Sequence, residues 1–110
     1  MISRQNLTVV TGALVTRVVV SGGRATAVEF SMDGTFQTAE ATEEIVLSLG
    51  TINTPKVLMQ SGIGNQSELQ QFGIPVMQHL SGVGQNYQDH PQFDCVWEYV
   101  EPVAPPEPQR

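Results

Sequence analysis

The hydrophobic period of this chain changes at Gly50, and that change limits what the chain can fold into. Before Gly50 the apolar residues come in short β-branched runs separated by turn residues, the pattern of strands rather than helices. Leu7-Thr8-Val9-Val10 is followed by Thr11-Gly12, Leu14 to Val20 by Ser21-Gly22-Gly23-Arg24, and Ala25 to Phe30 by Met32-Asp33-Gly34-Thr35. Gly-Gly and Asp-Gly readily supply the positive φ of tight hairpin turns. An antiparallel β meander over about Leu7 to Thr38 is therefore expected, with no helix inside it. Glu44-Ile45-Val46-Leu47-Ser48-Leu49 reads as one more short strand, of the buried rather than the alternating kind, ending at Gly50.

After Gly50 the spacing becomes helical. Thr54 suits an N-cap and Pro55 the first helical position, where a missing N–H costs nothing; Val57, Leu58 and Ser61 follow until Gly62 stops the helix. Ser67-Glu68-Leu69-Gln70 has capping-box spacing and predicts a second, two-turn helix closing at Gly73 before Ile74-Pro75. Leu80 to Asn86 reads as an ordered glycine loop, and Cys95 to Val100 alternates like a strand. The tail from Glu101 to Pro108 holds too many prolines for a helix or a central strand. The fold class is thus α+β: a meander, then a strand and short helices.

Composition narrows the function. Eleven acidic against five basic side chains, a net charge of -6, would repel a phosphate backbone, so no nucleic acid is expected as a partner. No apolar run is long enough to span a membrane. The first residues, Met1 to Asn6, lack the apolar core of a signal peptide, and localisation stays open. Cys95 is the single cysteine and has no second thiol at metal spacing, so no metal site is expected.

The segment from Gly50 to Gly64 carries the most chemical information. A strand ends at a glycine that lets a backbone or ligand come close, and a helix start faces that gap with its positive end. Such a junction suits an anionic or ribose-bearing cofactor. On local features alone a tight turn followed by a helix cap is the better reading. His79 reads as a solvated surface residue, and His90 beside Asp89 reads as a loop-fixing hydrogen bond rather than a proton-transfer group.

The same segment, Gly50-Thr51-Ile52-Asn53-Thr54-Pro55-Lys56-Val57-Leu58-Met59-Gln60-Ser61-Gly62-Ile63-Gly64, resembles the second signature of the glucose-methanol-choline (GMC) oxidoreductase family. That signature runs strand, Ala-Gly, Ser-Pro or Thr-Pro, an aliphatic helix and Ser-Gly-Ile-Gly. Upstream, Asn6 to Val9, Ala13-Leu14-Val15 and Val28-Glu29-Phe30 look like the family's meander. Downstream, Phe72-Gly73-Ile74-Pro75-Val76 and Gly82-Val83-Gly84-Gln85-Asn86-Tyr87-Gln88-Asp89-His90-Pro91 are similar to its Gly-Ile-Pro-Val and Gly-Val-Gly-x-Asn-Leu-x-Asp-His-Pro blocks. The resemblance runs from about Asn6 to Pro91. This chain has Ser48-Leu49 where many members carry two alanines, Ser81 where proline is usual and Tyr87 where leucine is usual.

The resemblance implies an internal piece of an FAD-dependent oxidoreductase acting on CH–OH groups of alcohols, choline dehydrogenase-like or alcohol oxidase-like. It implies that residues 1–54 belong to the FAD-binding domain, 55–91 to an extended FAD-binding region, and 92–110 to the start of a substrate domain or a truncated tail. It places Val15 at the adenine edge, Ser48, Leu49 and Gly50 beside the adenosine, and Asn86, Asp89 and His90 in the loop that extends the flavin site. The implied partners are FAD, an alcohol substrate and the remainder of the parent enzyme. No catalytic residue is expected within the chain, since the family's catalytic histidine and its partner lie near the end of the full protein. The Gly-x-Gly-x-x-Gly pyrophosphate cradle is also missing from it. The alternative is a stand-alone β-rich binding or interaction module without redox activity. A weaker possibility is another flavin or nicotinamide enzyme sharing the strand-glycine-helix junction.

Overall fold

The computed structural model describes residues 4–98 together with 100 and 104. Three strands form an antiparallel meander in the order β1-β2-β3: β1 (Leu14–Ser21), β2 (Arg24–Met32) and β3 (Thr35–Glu40). Both turns are two residues long. Gly22 and Gly23 lie at φ 59° and 78°, and Asp33 and Gly34 at φ 51° and 77°, between the register pairs Ser21↔Arg24 and Met32↔Thr35. Positive φ at both central residues gives a turn whose twist matches the strands, so these four residues fix the register of the sheet.

The β1–β2 ladder slips between Val15 and Arg17 and again between Val19 and Val20. Thr16, left without a partner by the first slip, turns its hydroxyl to the Glu29 carbonyl and to Glu29 Oε1, each at 3.1 Å. Arg17 Nη2 meets Glu29 Oε2 at 3.0 Å. That hydrogen bond, with help from Thr16, holds the Glu29 carboxyl below the usual carboxylate range. The pair is solvent-screened and pins the strands more than it stabilises them.

Among the described residues three expected strands are absent. Leu7 to Val10 forms no strand, and Leu7 N–H instead closes a turn onto the Arg4 carbonyl at 3.1 Å. Glu44 to Ser48 carries no ladder, nor do residues 95 to 98. Each has β-forming side chains, but a strand exists only where a neighbour accepts its ladder bonds, and among the described residues they join no sheet. Ile45 and Leu47 are half-buried while Val46 is exposed, so this stretch alternates rather than burying both faces. Phe93, Val96 and Trp97 lie open to solvent. The proline tail falls outside the described residues except for Ala104.

The first helix, α1 (Gly50–Gln60), begins earlier than expected, with Leu49 rather than Thr54 as its N-cap. Pro55 therefore sits inside α1, where it cannot donate to the carbonyl four residues back. Thr54 still serves the helix start from within: its Oγ1 accepts the Leu49 N–H at 3.1 Å. At the other end Ser61 is the C-cap, and Gly62, at φ 81°, donates its N–H to the Met59 carbonyl at 2.9 Å.

Beyond Gly62 come β4 (Ile63–Gly64), α2 (Gln66–Gln71) and β5 (Gln78–His79), with β5 parallel to β4. The α2 cap is Asn65, not Ser67. Its Oδ1 accepts the N–H groups of Ser67 at 2.9 Å and Glu68 at 3.4 Å. The helix closes at Gly73 as expected, by a complete Schellman pattern: Gly73 N–H to the Gln70 carbonyl and Ile74 N–H to the Leu69 carbonyl. Val18, Ala27, Val57 and Leu69 are the buried apolar residues among those described, and β1 packs against α1. Among the described residues no helix is long and apolar enough to cross a membrane.

Candidate functional site

Two turns of α1 and the glycine loop after β5 face each other across a groove of about 770 Å³. Thr51, Ile52, Pro55, Lys56 and Met59 form the helix wall; Gly84, Gln85, Asn86, Tyr87 and Gln88 form the loop wall, with Ile74 also lining the groove. The loop is held by local bonds. Leu80 N–H donates to the Gly64 carbonyl at 2.9 Å, and Gln85 Nε2 donates to the Glu68 carboxylate at 3.1 Å. Gly84, at φ 76°, lies so close to Met59 that an added Cβ would sit 3.2 Å from its sulfur. Asn86 takes φ 56° and accepts a hydrogen bond from Gln88 Nε2 at 2.9 Å.

The start of α1 is chemically open. Leu49 provides no side-chain cap and the first turn has no acidic residue, so the N–H groups of Gly50, Thr51 and Ile52 point from an exposed turn with partial positive charge. Such a turn suits an anionic or hydroxyl-rich ligand oxygen. Gly50 has φ 80°, and a Cβ added there would meet nothing within 4 Å; its glycine character is required here by conformation, not by crowding within the chain.

The expected site residues divide into three places. Ser48, Leu49 and Gly50 lead directly into the helix wall of the groove, and Asn86 lies on its loop wall. Val15 stands apart on β1, paired with Phe30. Asp89 and His90 do not line the groove either. Asp89 Oδ1 accepts the His90 N–H at 2.8 Å and lies 3.2 Å from His90 Nδ1, while Tyr87 donates its hydroxyl to Asp89 Oδ2 at 3.4 Å. This is a self-contained, exposed loop brace. His79 is exposed and its Nδ1 accepts the Gln66 N–H at 3.1 Å, satisfying a donor at the start of α2. Among the described residues no cluster of side chains could hold a metal ion.

Sequence reasoning gave Ser61 no role beyond helical spacing. It is buried, and its hydroxyl is the link between β1 and α1. A serine on the apolar stripe of a helix was the available signal, because a buried hydroxyl demands partners.

The family model for GMC oxidoreductases matches residues 1–92. The chain belongs to the GMC oxidoreductase family. Among the relatives of this GMC chain, human mitochondrial choline dehydrogenase is 51% identical over 89 residues, which is 81% of this chain and 15% of that protein. The oxygen-dependent choline dehydrogenase of Staphylococcus haemolyticus (strain JCSC1435) is 44% identical over 101 residues, covering 92% of this chain and 18% of that protein. An FAD-dependent oxidoreductase from Chaetomium thermophilum shares its structure with a TM-score of 0.70 at 38% identity, over 73% of this chain and 14% of that one. The GMC chain thus spans between 15% and 18% of the length of these curated relatives. Its meander, α1 and small parallel sheet have the architecture of part of the family's FAD-binding domain.

Proposed function

We propose that this chain supplies one portion of the FAD site of an oxidoreductase that acts on CH–OH groups of alcohols, of the choline dehydrogenase or alcohol oxidase kind. The observation that carries the proposal is the uncapped, acid-free start of α1, set directly after Ser48-Leu49-Gly50 and facing a groove that Asn86 lines. Those residues fit part of a dinucleotide: free N–H donors at a helix start suit phosphate or ribose oxygens. Val15 offers backbone groups of β1 to the adenine edge. Asp89 and His90 brace the loop that carries Asn86. FAD held by these residues would supply the acceptor for the hydride that leaves the alcohol carbon.

The chain's remaining partners under this reading are the alcohol and the rest of the parent enzyme. Residues 1–54 and 55–91 contribute to the FAD-binding and extended FAD-binding regions, and 92–110 lead toward the substrate domain. No residue of the chain takes the hydroxyl proton. The two histidines are occupied elsewhere, His79 with Gln66 and His90 with Asp89.

The isolated 110-residue chain should therefore neither hold FAD stoichiometrically nor oxidise an alcohol. It lacks the glycine cradle for pyrophosphate, and general-base assistance of ~10²- to 10⁴-fold is missing with the base. The check is to incubate the purified chain with FAD, desalt it, and record visible absorbance and alcohol-dependent dye reduction beside the full-length protein that carries it. A colourless, inactive chain and a yellow, choline- or alcohol-reducible full-length protein are expected. A yellow chain that turns over would overturn the partial-site assignment, and a full-length protein without flavin would overturn the FAD reading.

A further inference from the structure

We infer that Ser61 is the positioning residue that keeps the two halves of the FAD site in register, a role that rests on the FAD reading above. One half is β1, which carries Val15; the other is the start of α1 with Ser48, Leu49 and Gly50 before it. A ligand that touches both needs them at a fixed offset.

Ser61 sits at the C-cap of α1 and is 7% exposed. Its Oγ donates to the Val57 carbonyl at 2.6 Å and accepts the Val18 N–H at 2.8 Å. Val18 lies three residues after Val15 on the edge strand of the meander, so its N–H is turned outward and needs a partner from outside the sheet. The hydroxyl provides it. Among the described residues no other hydrogen bond joins the meander to α1 or to the elements after it. Val18 on β1 and Val57 on α1 are both buried, and apolar burial by itself sets no direction. Sliding β1 by one residue would turn its opposite face to the helix, so a directed bond at Val18 also fixes where Val15 lies.

The test uses the full-length flavoprotein that carries this segment. Ser61→Val and Ser61→Thr have the same shape and differ only in the hydroxyl, so shape is held constant. Ser61→Val should weaken FAD binding by about tenfold and alter the visible circular dichroism of the flavin, as loss of a buried partner implies. Ser61→Thr should stay within about threefold of the wild type. Gly34→Ala, which strains the β2–β3 turn and lines no part of the groove, serves as the stability control and should retain flavin at a matched loss of Tm. If neither larger side chain folds, Ser61→Ala should show the loss and spectral change described for Ser61→Val. Equal flavin retention by the Val and Thr variants, or no greater flavin loss in Ser61→Val or Ser61→Ala than in Gly34→Ala at matched Tm, would overturn the inference. A wild-type protein without flavin would overturn the underlying reading, and this inference with it.

Discussion

Gly62→Ala should destabilise the fold by about 3 kcal/mol or more, measured as a lowered denaturation midpoint at unchanged slope. Two costs combine at this position. Gly62 is at φ 81°, a left-handed conformation that costs a residue with a Cβ ~1 to 2 kcal/mol. The added Cβ would also overlap the Pro75 carbonyl oxygen and stand 2.8 Å from Met77 Cγ. The methionine side chain can move, but the Pro75 backbone cannot move without disturbing β5, because Met77 and Gln78 both donate to the Gly62 carbonyl, at 2.8 and 3.1 Å. Forced overpacking of this kind adds ~1 to 3 kcal/mol. Gly34→Ala provides the comparison: its φ is 77°, yet open space surrounds the new Cβ, so only the conformational cost applies. Equal losses at the two positions would show that β5 does not pack on Gly62 as described.

The second large effect concerns the cofactor. Gly50→Val should weaken FAD binding in the full-length protein by at least about tenfold, while Gly34→Val should change it by less than about twofold. The two glycines are matched within the chain. Their φ values are 80° and 77°, and neither has a neighbour within 4 Å of an added Cβ. The intrinsic strain of a valine is therefore similar at both, and any difference in flavin retention reports on what lies outside the chain at Gly50. A ligand brought against the open N–H groups of the α1 start is what the site geometry provides for. FAD titration of the two apoproteins checks this, and equal affinities would remove Gly50 from the cofactor site.

The parts of the fold legible in the sequence are those decided locally. Gly22-Gly23 and Asp33-Gly34 marked the hairpins because tight turns require positive φ within two residues, and Gly73 marked the end of α2 for the same reason. Thr54-Pro55 misled about the start of α1. Local propensity favours Thr as a cap and Pro just after it, but the helix starts at Gly50 and uses the Thr54 hydroxyl from inside. Asn65 outranked Ser67 at α2 because both are good caps and only the path of β4 chooses between them. Leu7 to Val10, Glu44 to Leu49 and Cys95 to Val100 read as strands but form none among the described residues, since pairing depends on residues distant in sequence.

Resemblance pointed to Ser48, Leu49 and Gly50 and to Asn86; Asn86 lines the groove, but at the helix start Thr51 and Ile52 line it rather than those three. Val15, Asp89 and His90 lie off that groove, and only a bound ligand long enough to reach β1 would connect Val15 to it. Ser61 was missed because its partner, Val18, is 43 residues away.

Hydrogen–deuterium exchange of the full-length protein, compared between its FAD-loaded and FAD-stripped forms, tests the central claim most directly. FAD should slow exchange at the amides of Val15 and of Gly50 to Ile52, and in the loop carrying Asn86, while the β2–β3 turn at Asp33-Gly34 exchanges alike in both forms. Protection that skips Gly50 to Ile52, or that falls equally on the Asp33-Gly34 turn, would contradict the assignment of this chain to the FAD site.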